Sequence, residues 1–281
     1  FLPLLRGIKV FMYHSPLHYK IVPELVYETN STVIFGTDTF LNGYAKSAHP
    51  YDFYFIRFVV AGVEKLREET ANLWADGFGI RVFEAYGATE TSSTVAVNTP
   101  MYFKAGSVGR FLPSIEYKLV ETPHLEGSRL YVKGENVMSG YVKNGVLNVP
   151  MSISDGWYDT GDIVNIDEDG FVTIKDTTKR FVKIDSCNIS LTELETLISS
   201  AYPQSKHAVV VVSDRKKEKQ LILFTTASDI TCAGLKKIFE EKTLTKMRIA
   251  CRIEKLEDIP IVGTGKTDYN NLIVIAKGFL K

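Results

Sequence analysis

The chain has 281 residues, 45% of them apolar and 23% charged, an ordinary composition for a globular protein of one large domain or two smaller ones. Lys+Arg and Asp+Glu are equal at 33 each, which gives no support for nucleic-acid binding or a polybasic membrane anchor. No apolar run reaches the roughly eighteen residues of a membrane span, and Cys187, Cys232 and Cys251 are too scattered for a disulfide frame or a zinc site.

The opening, FLPLLRGIKVFMY, has neither an initiator methionine nor a signal-peptide layout and reads as the interior of a longer chain. Within it, IKVFMY is the first strand candidate. LHYKIVPELVYET has helical spacing with a proline near its middle, STVIFG is a second strand, and Thr37 to Ala48 is a short helix. FYFIRFVVAG reads as a long apolar strand, EKLREETANLWADGFG as a two-faced helix ended by glycine, and IRVFEAYG as another strand. Strands alternating with helices predict a mostly parallel sheet.

From about Gly106 to Lys175 the pattern changes to short alternating strands, SIEYKLV, SRLYVKG, YVKNG, DIVNID and GFVTIKD, which predict a small antiparallel sheet or barrel. A boundary follows in KDTTKR, residues 175 to 180. Beyond it SLTELETLISS opens a helix with Ser190 and Glu193 in capping-box spacing. HAVVVVSD and KQLILFTT are strands joined by the charged turn RKKEK, CAGLKKIFEEK is a helix, and RIACRIEKL is a last strand. The predicted organisation is a large domain over 1–178, with an α/β portion (1–104) and a β-rich portion (105–178), then a small α+β domain over 179–281.

Four stretches carry residues suited to chemistry. VVAGVEKL, residues 59 to 66, runs an apolar strand into Gly62, Val63 and Glu64. Ligands bind at such strand ends in open α/β sheets, and a glycine there lets a flat ring approach the backbone. An ordinary strand-to-helix turn would read the same way. EAYGATETSS, residues 84 to 93, offers the Tyr86 ring for stacking beside Gly87, the Thr89 hydroxyl for a phosphate oxygen and the Glu90 carboxylate for Mg²⁺. GWYDTGD ends on Asp162, a carboxylate able to accept from two neighbouring ribose hydroxyls, or a simple turn carboxylate.

The fourth stretch, PIVGTGKTD at residues 260 to 268, imitates a phosphate-binding loop. The spacing G-x-x-x-x-G-K assigns its first glycine to Pro260, which has no N–H to give a phosphate. What remains is Lys266 in a glycine-flanked loop, which taken alone is equally a solvated turn.

The order AG-x-E, YG-x-TE, YDTGD and then a lysine in a C-terminal glycine loop resembles the adenylate-forming superfamily of acyl-CoA synthetases, luciferases and nonribosomal-peptide adenylation domains. SPLHYKIVPELVYETNSTVIFGTDTFL, with VVAGVEKL and KRFVKI, is similar to the synthetase part of the bacterial bifunctional 2-acylglycerophosphoethanolamine acyltransferase / acyl-[acyl carrier protein] synthetases. The resemblance runs from about Leu2 to Leu272. It implies an ATP-dependent enzyme that adenylates a fatty acid, releases pyrophosphate, and passes the acyl group to the phosphopantetheine thiol of acyl carrier protein for acylation of a lysophospholipid. An acyl-CoA synthetase, with coenzyme A as acceptor, is the alternative within the superfamily. A non-catalytic binding module is the alternative outside it. Residue by residue, the resemblance implies that Gly62, Val63 and Glu64 line the adenine pocket, Tyr86 beside Gly87 stacks on the base, and Thr89 touches the α-phosphate. It further implies that Glu90 helps hold Mg²⁺, Asp162 binds the ribose of ATP or AMP, Lys179 is the hinge, and Lys266 is the catalytic lysine. The parent would work at the cytoplasmic side of a bacterial inner membrane, and this portion would itself be soluble.

The chain also departs from the family. Its Ser/Thr/Gly-rich phosphate loop and the acyltransferase domain are expected upstream of Phe1, so the isolated portion is expected not to adenylate. Thr177 stands where the family has an arginine, and Asp185-Ser186 replaces a loop glycine near the pantetheine path. His14, His18, His49, His124 and His207 show no ligand spacing. The RKKEK run is a solvated turn, or a basic patch for an acidic carrier protein.

Overall fold

The computed structural model describes residues 2–122, 126–149, 153–184, 187–213, 219–241, 251–263 and 265–279. His124, Asp185-Ser186 and most of the RKKEK turn lie outside the described residues. The chain divides into two compact units, Phe1–Lys175 and Asp176–Lys281.

The first unit opens with α1 (Leu2–Leu5), α2 (Ile21–Glu28), β1 (Val33–Gly36), α3 (Asp38–Ser47), β2 (Phe58–Ala61), α4 (Glu68–Phe78), β3 (Val82–Ala88), β4 (Ser93–Val97) and β5 (Arg110–Phe111). These strands form one sheet in sequence order. β1, β2 and β3 are parallel, and β4 and β5 add antiparallel. Thr37 caps α3, accepting the Phe40 N–H on its hydroxyl at 3.4 Å, and Asp38 adds negative charge at the positive end of the helix dipole. Leu41 and Trp74, both at 0% exposure, lock α3 to α4, with the indole N–H donating to the Leu41 carbonyl at 3.0 Å. Fully burying aliphatic side chains such as Leu41 and Val59 contributes roughly 1.5–3 kcal/mol each.

Two strand expectations in this unit are corrected. Residues 8–13 form no strand, and Ile8, Val10, Phe11 and Met12 are exposed. A period-two apolar pattern signals which side chains avoid water, but a strand also needs a neighbouring ladder. The long strand over FYFIRFVVAG is only β2, because Pro50–Phe53 winds into a single 3-10 turn before it.

The β-rich portion follows as β6 (Glu116–Glu121), β7 (Ser128–Lys133), β8 (Tyr141–Lys143), β9 (Val146–Asn148), β10 (Ile153–Ser154), β11 (Trp157–Ile166) and β12 (Val172–Thr177). Strands β10, β11, β7 and β6 pair antiparallel in that order with β12 on β11, and β8 and β9 form a separate hairpin. Leu130, Val132, Tyr158, Val164 and Val172 make its core together with Val95 from β4.

The second unit contains the hairpin of β13 (Phe181–Ile184) and β14 (Cys187–Ser190), then α5 (Leu191–Ala201), β15 (His207–Ser213), β16 (Lys219–Thr225), α6 (Cys232–Glu241), β17 (Cys251–Lys255) and α7 (Tyr269–Gly278). β15 runs antiparallel and β17 parallel to β16. The apolar run of β15 is buried on both faces: Val209 joins Leu221, Leu223 and the α5 residues, while Ala208, Val210 and Val212 join Phe224, Leu272 and Ala276. Ser190 caps α5, accepting the Glu193 N–H at 2.9 Å while its own proton goes to Asp176. No helix of the described residues is long and apolar enough to cross a membrane.

Candidate functional site

β2 and β3 run side by side only as far as the Ala61–Glu84 pair. Beyond it β3 continues through Ala88 while pairing only with β4, and the chain after Ala61 turns away. Diverging strand ends open a crevice of the kind in which α/β sheets bind ligands.

The turn after β2 is held from three sides. The Gly62 N–H donates to the Gly36 carbonyl at 3.1 Å. The Glu64 carboxylate accepts from the Thr39 N–H and hydroxyl at 3.2 and 3.1 Å, so this side chain anchors the turn to α3. Asp38, 3% exposed, accepts from the Arg67 backbone N–H at 2.9 Å and the guanidinium at 2.5 Å. Within the turn Val63 has φ of 75° and is 61% exposed. A β-branched residue in the left-handed region is strained, and such strain gathers at functional sites. At Gly62 an added Cβ would meet only the Ala85 carbonyl at 3.6 Å, so the protein itself leaves that space open.

Across the crevice the Tyr86 hydroxyl donates to Asp162 Oδ2 at 2.5 Å, joining residues 76 apart in sequence. Burial and the adjoining Asp162 carboxylate push the phenol well above its ordinary pKa, so it stays protonated and keeps donating. Asp162 projects from a bulge, where the register between β11 and β7 slips between Asp159 and Ile163. Arg129 grips Asp159 with two hydrogen bonds at 2.9 and 2.7 Å. Thr160 donates to the Leu130 carbonyl at 2.9 Å and accepts the Asp162 N–H at 3.0 Å. The carboxylate of Asp162 is thus presented on a fixed frame.

Past Tyr86 the backbones of β3 and β4 come into contact. A Cβ at Gly87 would fall 1.6 Å from the Ser93 carbonyl oxygen, so the glycine there has a structural reason of its own. The one-turn helix Thr89–Thr91 follows, locked by the buried Thr91 hydroxyl, which accepts the Ala88 N–H at 3.0 Å. This leaves Thr89 exposed, and Glu90 Oε1 accepts the Tyr141 hydroxyl at 2.5 Å. Among the described residues no cluster of three or more His, Cys, Asp or Glu could hold a metal alone. A single carboxylate such as Glu90 suits Mg²⁺, which takes one or two carboxylates and completes its shell with substrate phosphates and water.

Lys266 belongs to the second unit. It lies on a tight turn closed by the Ile261–Thr267 bridge, the Val262 N–H to the Lys266 carbonyl at 2.8 Å, and the Gly265 N–H to the Val262 carbonyl at 2.8 Å. Gly265 has φ of 87°, a conformation glycine adopts without strain. The Lys266 side chain is exposed. Asp268 caps α7 by accepting the Asn271 N–H at 3.0 Å, so a side chain already occupies the place a P-loop gives to phosphate. Lys179 falls in the one-turn helix Thr178–Arg180 at the start of this unit, just after Thr177.

Glu84, Arg129, Asp159 and Tyr141 support the site without having been singled out in the sequence. Glu84 had a readable signal, since a carboxylate inside the apolar strand IRVFEAYG must find a partner. It is 8% exposed and accepts the Leu66 N–H at the far end of the turn after β2. Burial pushes its pKa up to about 7, against the opposing effects of that hydrogen bond and Lys65. The other three depend on contacts between segments distant in sequence that no local pattern announces.

A family model described as AMP-binding enzyme matches residues 1–142. The long-chain-fatty-acid–CoA ligase of Salmonella typhimurium is 30% identical over 269 residues, covering 92% of this chain and 48% of the relative. The 2-succinylbenzoate–CoA ligase of Staphylococcus aureus is 30% identical over 200 residues, 69% of this chain and 40% of the relative. Among solved structures, O-succinylbenzoate coenzyme A synthetase from Bacillus subtilis in complex with AMP matches with a TM-score of 0.74 at 25% identity, over 96% of this chain and 56% of that one. At 48% and 40%, the chain spans about half or less of the length of these curated relatives.

Proposed function

The chain belongs to the AMP-binding, adenylate-forming enzymes, and from that membership we propose that its parent activates a fatty acid with ATP and then passes the acyl group to a pantetheine thiol. The observation that carries this reading is the frame around the crevice beyond β2 and β3, where open space at Gly62 adjoins Ala85 and the neighbouring Tyr86 is bonded to Asp162. A flat base would lie against Gly62, with the Tyr86 ring stacked on it. Asp162, with one oxygen engaged by Tyr86, keeps lone pairs for ribose hydroxyls. Gly62 and Val63 would line the base, while Glu64 and Glu84 hold their turn in place. Thr89 would meet the α-phosphate. Glu90 would hold Mg²⁺, whose charge offsets that of the phosphates when bound.

Lys266 would act in the first half-reaction. As a carboxylate attacks the α-phosphate, its oxygen bonds to phosphorus, the bond to pyrophosphate breaks and the electron pair leaves with pyrophosphate. An ammonium beside the two like-charged reacting groups eases their approach and stabilises the transition state. The parent would bring the lysine in and withdraw it by turning its small domain (179–281) against the large one (1–178) about Lys179.

The relatives' names favour coenzyme A as the thiol acceptor, since one is a long-chain-fatty-acid–CoA ligase. A second reading has acyl carrier protein as acceptor and a lysophospholipid as final destination, and it rests on the stretches 15–41, 59–66 and 179–184. Supplying each thiol to the parent with a long-chain acyl-adenylate separates the two.

The nucleotide site is tested with Asp162→Asn, which keeps an acceptor for Tyr86 but removes the charge. Calorimetric titration should show AMP binding weakened by about tenfold, near the worth of one charged hydrogen bond. The variant should also lose the preference for AMP over 2′,3′-dideoxy-AMP. Unchanged affinity and an unchanged preference would remove Asp162 from the ribose site.

A further inference from the structure

The second unit holds a half-buried polar network that the nucleotide reading does not use. Arg180, in the turn Thr178–Arg180, donates to Glu195 Oε1 at 2.5 Å and to the Val209 carbonyl at 3.2 Å. The same Glu195 oxygen accepts the Val209 N–H at 2.6 Å. Its other oxygen accepts the Tyr269 hydroxyl at 3.0 Å. The Arg180 guanidinium lies 3.9 Å from the centre of the Tyr269 ring. Arg180 and Glu195 side chains are only 17% and 15% exposed. Each partner is therefore fixed more than once, in surroundings largely shielded from water.

Position gives the network its meaning. Tyr269 is the first residue of α7, and its side chain is hydrogen-bonded by Thr267, the residue after Lys266. Arg180 is one residue beyond Lys179. We infer that Arg180, Glu195 and Tyr269 form a brace that ties the Lys266 loop to the turn at Lys179, so that the loop moves with that turn as one body. The three are positioning residues, and their link to catalysis rests on the reading of Lys266 given above. A lysine on a loop left to itself would reach the reacting groups in many orientations. A loop fixed at Tyr269 restricts them before substrate arrives.

Removing either ion of this largely shielded pair would strand the other, so the chosen variant is Tyr269→Phe, which deletes one oxygen. Three amides report on the loop: Val262, Gly265 and Asp268, each hydrogen-bonded within it. In the parent protein, Tyr269→Phe should speed hydrogen exchange at these three amides by about tenfold, with the β15 and β16 amides unchanged, as expected of local opening. Exchange unchanged at the loop, or accelerated equally throughout the unit, overturns the brace. Acid-dependent ATP–pyrophosphate exchange should slow by about tenfold, a change of about 1.4 kcal/mol in the barrier. It should slow no further when Tyr269→Phe is added to Lys266→Ala, because the two act through one group. An additive loss in the double variant overturns the link between brace and lysine. If Lys266→Ala alone keeps the wild-type rate, the reading of Lys266 fails, and the amide measurement still decides the brace.

Discussion

At Glu84 burial and hydrogen bonding pull in opposite directions, and burial wins. Its pKa rises from 4.5 to about 7 although it accepts the Leu66 N–H. A carboxyl raised in the folded state binds more protons there than in the unfolded chain between these two values. Its contribution to stability is therefore most favourable below about 4.5 and declines as pH rises to about 7, after which it is level. The full difference is roughly 3 kcal/mol. Glu84→Gln keeps an acceptor for Leu66 and removes the titration. Urea unfolding should show the variant gaining on wild type from pH 5 to pH 8 by up to about 3 kcal/mol. A constant difference across that range would mean that Glu84 titrates normally.

The turn after β2 and the β3–β4 crossing contain two glycines with different reasons for being glycine. At Gly87 a methyl group would overlap the Ser93 backbone, which cannot step aside without breaking the pairing. Gly87→Ala should lose about 3 kcal/mol of stability, the upper range for overpacking. At Gly62 the nearest atom to an added Cβ is 3.6 Å away, an ordinary contact. Gly62→Ala should unfold close to wild type yet bind AMP more weakly. Equal losses of stability in the two variants, measured in urea, would contradict a ligand-facing role for Gly62.

How much of these elements could be read from the sequence follows the range of the forces involved. The helices over Asp38–Ser47, Glu68–Phe78 and Leu191–Ala201 were legible because caps and apolar spacing are local. So were β1, β15 and β16, rich in branched apolar residues, and β3, which opens on Val82 and Phe83. Residues 8–13 misled because alternation does not reveal whether a partner strand is at hand. In the site, the stretches around Gly62, Tyr86 and Asp162 were visible as motifs, but the Tyr86–Asp162 bond spans 76 residues and has no local signature. Tyr141 on Glu90 and Arg129 on Asp159 were hidden for the same reason.

At the scale of the whole molecule, the proposed chemistry is divided between two units. Phe1–Lys175 contains Gly62, Tyr86, Thr89, Glu90 and Asp162, and Asp176–Lys281 contains Lys179 and Lys266. That division suits an enzyme with two successive reactions, because a lysine used in only one of them can be withdrawn for the other. The consequence is a separation of half-reactions that a surface lysine would not produce. The deciding measurement is the rate of each half-reaction in the parent protein carrying Lys266→Ala, with acyl-adenylate formation followed from fatty acid and ATP and thiol transfer started from supplied acyl-adenylate. The account predicts that formation slows by roughly 10²–10³, the loss typical of one preorganised charge or donor, while transfer stays near the wild-type rate. Formation at the wild-type rate, or an equal loss in both steps, would contradict it.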